Sequence, residues 1–400
     1  MNFLIYLVNE GLSKFLPFIT ILIVAKYIDV ESFGQLTLYY ITLEILTIVI
    51  NNNIRATTRI DFFQSSKERY IETKSAHNIG SFFLLIFVLV ICFVVDVIEY
   101  KYMLLLALTA FMRGWAYFVL SDLQCKENAK LYGMYNIIPI ALSSILFLSA
   151  ILYGYGIESW FYSIFIGTII QFLFIIRYIT NNKLFQVSSI YNYRDIYNEF
   201  KHGLIFMPQA VGFWLNAATD RVFISMILGN IIVGYYMFVF QLATPIIIFS
   251  TVINLYLTPK INRYLKISNI DSIKKILFKF TLLTFLFAVI NYVAIEFVIN
   301  YFYYDKYTNS LEYIPYIVIA LFLQATYLIY MNIFYYIGKK KFISMLVLIL
   351  AFVKVIVIFA SLSLFEMEGL LIANIILDGL ILLFVLVKIN KSLKKIGERK

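Results

Sequence analysis

Six ionisable residues stand where hydrocarbon is expected. Glu10, Lys14, Glu44, Arg113, Lys354 and Asp378 each fall well inside a long apolar stretch. A charge at bilayer depth costs about 2.5–3.5 kcal/mol on insertion scales. Six of them, spread over both halves of the chain, call for a polar cavity between helices, as a carrier of polar cargo needs. Arg113, beside Gly114 and Trp115, reads either as a cavity cation that meets anionic cargo or as the partner of a buried acid such as Glu44. Lys354 reads the same way, with Asp378 as its candidate acid. Glu10 and Lys14 are four residues apart, so on a helix they share a face with the acid N-terminal, the favourable order. They are either a self-neutralised pair or a gate, and Gly11 and Pro17 would let that helix bend. Glu10, Glu44 and Asp378 are also candidates for coupling to protons or sodium, since a carboxylate in a dry site takes up a proton readily.

The rest of the chain explains why these charges are conspicuous. Its 400 residues are 62% hydrophobic, with 38 Phe and 32 Tyr, and the mean hydropathy is +0.86. Soluble domains are nearer 45–50% apolar, so the surplus must face lipid. The apolar runs are continuous and do not alternate, which excludes barrel strands. The net charge of +10 does not indicate nucleic acid, because the cations cluster in short loops between apolar runs. Two cysteines, Cys92 and Cys125, build no disulfide framework, and two histidines build no His-rich metal site. No cofactor or metal is expected. The N-terminus reads as a retained first span, not a cleaved leader.

A span needs about 20 mostly apolar residues. Twelve are expected: 3–26, 33–54, 76–97, 101–124, 131–153, 159–180, 203–228, 232–257, 274–298, 312–337, 342–363 and 368–388. This predicts an all-α polytopic membrane protein of two six-helix lobes, residues 1–180 and 203–388. A cytoplasmic linker, 181–202, joins them, and a basic tail, 389–400, follows. Alternate loops differ about eightfold in Lys and Arg, and the richer set, which includes both ends, is assigned to the cytoplasm. Arg55 and Arg59, behind Asn51-Asn52-Asn53, then sit at the cytoplasmic mouth. They serve there either as topology signals or as collectors of an anionic group. The Lys339-Lys340-Lys341 run and the tail read as topology and anionic-lipid signals. Phe33-Gly34 opens the second span as Val233-Gly234 opens the eighth, each after a span containing a proline (Pro17, Pro208). That echo suggests two lobes related by an axis along the membrane normal.

The stretch from Gly203 to Pro245 adds Pro208, Trp214, Asp220-Arg221, Gly229 and Val233-Gly234-Tyr235 at the spacing found early in the C-terminal half of polysaccharide flippases. With Phe33-Gly34, Arg55 and Arg59 in the first half, the chain resembles the Wzx-type O-antigen flippases of the multidrug/oligosaccharidyl-lipid/polysaccharide exporter superfamily. The resemblance implies a non-enzymatic carrier in the bacterial inner membrane. It would move an undecaprenyl-pyrophosphate-linked oligosaccharide through a central cavity by alternating access. An O-antigen polymerase and a chain-length regulator are candidate partners. Arg113, Lys354, Lys14, Arg221, Arg55 and Arg59 become the candidate cargo-binding cations. Glu10, Glu44, Asp220 and Asp378 become the candidate gating or ion-coupling acids. Two rivals remain: a drug/cation antiporter of the same superfamily, and a membrane-embedded glycan polymerase or glycosyltransferase. The first should have an acid-dominated cavity, and the second needs a sizeable outer loop carrying catalytic groups.

Overall fold

The computed structural model describes residues 2–95, 99–186, 193–267, 269–336 and 340–397. Among them the secondary structure is helical throughout. The first half runs α1 (Asn2–Tyr27), α2 (Val30–Asn51), α3 (Ile54–Gln64), α4 (Lys67–Val95), α5 (Tyr100–Cys125), α6 (Ala129–Leu152), α7 (Ser159–Asn182) and α8 (Tyr193–Leu204). The second runs α9 (Met207–Leu228), α10 (Asn230–Ala243), α11 (Pro245–Lys266), α12 (Ile270–Phe302), α13 (Tyr304–Tyr307), a short 3-10 turn (Thr308–Tyr313), α14 (Ile314–Tyr336) and α15 (Lys340–Gly397).

Ten stretches among the described residues are long and apolar enough to cross a membrane. One of them, Met345–Leu393, is 49 residues, about 74 Å at the helical rise, against a hydrocarbon core of about 30 Å. It is two spans, broken where Phe365 and Glu366 leave helical geometry, Glu366 at φ +51°. With its two arms counted separately, eleven such stretches lie among the described residues, and α1 precedes them. The protein is a multi-pass membrane protein.

Three boundaries differ from the sequence expectation. Residues 55–75, read as a loop, fold into α3 and the first turns of α4. The linker holds its own helix, α8, and the span expected from 203 begins at Met207. The span expected at 232–257 runs as one apolar stretch, Asn230–Thr258, divided into α10 and α11 at Thr244, where Pro245 takes the first turn of α11, the helix position that suits proline.

The helices form two compact units, Met1–Ile28 with Leu38–Trp214, and Asp29–Thr37 with Leu215–Lys400. In the first unit α6 packs on α1 and α7, and α5 on α4 and α7. Its core includes Ile54, Phe118, Val119, Leu123, Tyr132 and Ile175. Pro139 lies inside α6 and cannot donate to Tyr135 one turn earlier. Gln171 of α7 donates to that carbonyl instead, at 3.0 Å. In the second unit α14 packs on α11, α12 and α15, around Ile253, Leu257, Leu277, Ile329, Phe334 and Val385.

The opening turns of α2 belong to the second unit, where they meet α10 through two glycines. A Cβ on Gly34 would stand 2.1 Å from the Asn230 carbonyl oxygen, and one on Gly234 would stand 2.1 Å from that of Val30. No side chain fits, so the backbones touch. Phe33, Phe238 and Tyr307 close the crossing, with the last two rings stacked at 3.8 Å.

Candidate functional site

The first unit holds a cavity of about 100 Å³. Its walls come from Pro17 and Thr20 of α1, Tyr40 of α2, Arg113 of α5, Ile140, Ser143, Ser144 and Phe147 of α6, and Trp160, Ser163 and Ile164 of α7. Pro17 and Pro139 interrupt the two helices that face each other there, and such prolines bend a helix. Helices α6 and α7 approach closely beside the cavity: a Cβ on Gly167 would stand 2.1 Å from Ser143 Oγ and 2.8 Å from the Pro139 carbonyl oxygen. Tyr40 and Trp160 form an aromatic wall, ring centroids 4.6 Å apart. Thr20, Ser143 and Ser163 donate to carbonyls one turn back at 2.6–2.9 Å. Their lone pairs remain free for the cavity. Arg113 is half-buried. Among the described residues no acid or hydrogen-bond acceptor engages its guanidinium, and Glu44 is exposed on α2. Arg113 and Glu44 form no ion pair with each other among the described residues.

The second unit gathers its charges on α9 and the two arms of α15. Asn216 and Asp220 lie one turn apart on α9; Asn374 and Asp378 lie one turn apart on the second arm. Lys354, from the first arm, donates to the Asn216 carbonyl at 3.0 Å and to Asp220 Oδ2 at 3.2 Å. The same carboxylate oxygen accepts from Tyr236 Oη at 2.9 Å and Asn374 Nδ2 at 3.2 Å. Its Oδ1 is buried with no hydrogen-bond donor among the described residues. The partner of Lys354 is therefore Asp220, not the Asp378 that sequence spacing suggested. Asp378 stands within electrostatic reach of both. Arg221 lies over the Phe240 ring at 5.9 Å.

The remaining candidates lie apart from these two groups. Lys14 is exposed on α1, and the Glu10 side chain lies outside the described residues. So do the side chains of Lys339, Lys340 and Lys341. Arg55 and Arg59 are exposed on α3. Arg55 stands over the Tyr117 ring at 5.7 Å, and Arg59 donates to Gln124 Oε1 at 2.6 Å.

One ionic cluster was not legible in the sequence. Lys74, read there as a loop cation, has no exposed surface. Its ammonium meets Asp61 at 2.5 Å, Glu199 at 3.0 Å and Thr57 at 3.1 Å, which satisfies its three donors. His77 donates through Nε2 to the Asn51 carbonyl at 3.0 Å and turns Nδ1 toward Glu199 at 3.8 Å. Burial pushes the Glu199 carboxyl up, but the neighbouring His77 ring and the Lys74 ammonium outweigh it and hold the pKa at about 2. Arg69 grips Asp195 with both terminal nitrogens, at 2.7 and 3.0 Å, and Asn52 donates to the Phe200 carbonyl. Together these bonds fasten α8 to α3 and α4. Asp61, Glu199 and His202 lie close enough to share a cation, but the Lys74 ammonium already serves two of them.

No protein-family model matches the chain. The Haemophilus influenzae "Lsg locus putative protein 1" is 24% identical over 355 residues, covering 85% of each chain. Among solved structures, a lipid II flippase, MurJ, in an inward closed conformation matches at a TM-score of 0.76. That match covers 98% of this chain and 90% of the other at 16% identity. A Vibrio cholerae MATE transporter, VcmN, matches at 0.65 over 98% and 96% with 14% identity. An inward-facing multidrug resistance MATE transporter of the MOP superfamily gives 0.65 over 98% and 95%, again at 14%. The likeness spans nearly the whole chain and places its fold with the MOP-type transporters, as the sequence resemblance implied.

Proposed function

We propose that this protein is a flippase for a polyprenyl-diphosphate-linked oligosaccharide, with an O-antigen repeat unit as the cargo. It would work by alternating access in the bacterial inner membrane, with both termini in the cytoplasm. The observation that carries this reading is Arg113: a cation inside a span of a transporter fold, lining a small cavity of apolar walls and a few hydroxyls, with no acid paired to it among the described residues. An unpaired guanidinium there costs energy that an anionic cargo would recover, since arginine meets phosphate and carboxylate oxygens with a planar fork of donors. The fold shared with a lipid II flippase and the relative from the Lsg locus support the same reading. A cation antiporter of this fold would need acids in that cavity, and its described lining has none.

Lys354, Arg221, Lys14, Arg55 and Arg59 are the further cargo-facing cations in this proposal. Asp220, Asp378, Glu44 and Glu10 are the gating or ion-coupling acids. Lys354 would release Asp220 when cargo anion draws it away, and the buried Oδ1 of Asp220 would receive a coupling proton or cation. The test is complementation of a bacterial strain lacking its own O-antigen flippase, with surface glycan read on gels. Wild-type rescue that Arg113→Ala abolishes at normal membrane levels is the expected result. Failure of the wild type with matched sugar donors would overturn the cargo assignment.

A further inference from the structure

The cavity of the first unit is too small for an oligosaccharide or a polyprenyl tail, and its apolar walls carry one cation and a few hydroxyls. One buried water needs about 10–15 Å³ on the same measure, so about 100 Å³ holds several waters. That is the space of one acidic group and the edge of one sugar ring. Its chemistry is divided accordingly. Arg113 offers up to five donors, none taken among the described residues. Thr20, Ser143 and Ser163 have already donated to their own helices, so they present acceptors to ring hydroxyls. The Tyr40–Trp160 wall suits the apolar face of a ring. The helices that carry these groups belong to one compact unit, and Gly167 against Ser143 fixes α6 on α7.

We infer that the first unit contains a self-sufficient oxyanion subsite, sized for a single acidic sugar residue or phosphate, with Arg113 as its anion-binding residue. The inference rests on the flippase reading only for its purpose. The oxyanion has two possible sources, a carboxylate on one sugar of the glycan and the diphosphate of the lipid carrier.

The experiment is a binding titration of the full-length protein in nanodiscs, followed by the fluorescence of Trp160 with Trp115 and Trp214 replaced by Phe. Glucuronate, glucose and inorganic pyrophosphate are the probes. Glucuronate is expected to give a saturable change at least tenfold tighter than glucose. Arg113→Gln should abolish it, Arg113→Lys should weaken it about tenfold, and Lys101→Gln should leave it unchanged. If pyrophosphate alone gives the Arg113-dependent change, the subsite stands and its source is the carrier. Equal binding of glucose and glucuronate would overturn the inference, as would the absence of any Arg113-dependent change in a correctly folded protein. Arg113-dependent binding without rescue of surface glycan would instead sink the flippase reading and leave the subsite.

Discussion

At the scale of single residues, the buried cations held by acids contrast with Arg113. Lys354 and Lys74 each sit among oxygen acceptors, whereas Arg113 faces a cavity. Removing one half of a buried pair leaves an uncompensated charge, at a cost of about 3–5 kcal/mol. Lys354→Ala should therefore lower the melting temperature in detergent by several degrees. Replacing both partners, as Lys354→Met with Asp220→Asn, should restore most of it, so a double variant no better than the single would refute the pairing. For Glu199 the sign follows from its depressed pKa. Stability from the cluster is fully present above the ordinary carboxylate range, near 4.5, and is lost as pH falls toward 2. Amide protection factors in α8, corrected for the intrinsic pH dependence of exchange, should hold down to about pH 4.5 and fall below it, and Glu199→Gln should flatten that dependence. Arg113 was legible because a lone charge stands out against apolar neighbours. The Lys74 cluster was not, since its partner Glu199 lies 125 residues away and a basic residue beside a span mimics a topology signal.

Helices show a comparable division between what pattern reveals and what packing decides. Apolar runs marked the spans well, because lipid imposes length and composition on each one separately. Breaks within them depended on partners: Thr244-Pro245, the Phe365-Glu366 turn and the separate α8 follow from local backbone and tertiary contacts. Gly34 and Gly234 read in the sequence as echoes of each other, and the structure brings them into direct contact. Overpacking a tight site costs about 1–3 kcal/mol. Gly34→Ala and Gly234→Ala should each destabilise the protein by that amount in thermal melts. The pair together should cost less than the sum, because one shift of the backbones relieves both. Strict additivity would argue that the two contacts are independent. Gly229, at φ +89° with open space around it, should also resist alanine, by backbone strain and not by collision.

For the whole molecule, the uneven loop charges make a topological claim that geometry alone does not contain. A fluorescent-protein fusion after Lys400 should glow, and a cysteine at Asn309 should react with an impermeant thiol reagent from outside intact spheroplasts. The opposite pattern would invert the orientation proposed here. The glycine crossing has a consequence in time. Residues 29–37 pack on a helix that begins at Asn230, about two hundred residues later in the chain. At ribosomal rates of about 5–20 residues per second, that stretch of α2 waits about 10–40 s for its neighbour. Through that interval the bare backbone around Gly34 lies open to lipid or to the insertion machinery. Nascent chains halted before residue 230 should therefore be cleared by membrane proteases faster than chains halted after residue 243.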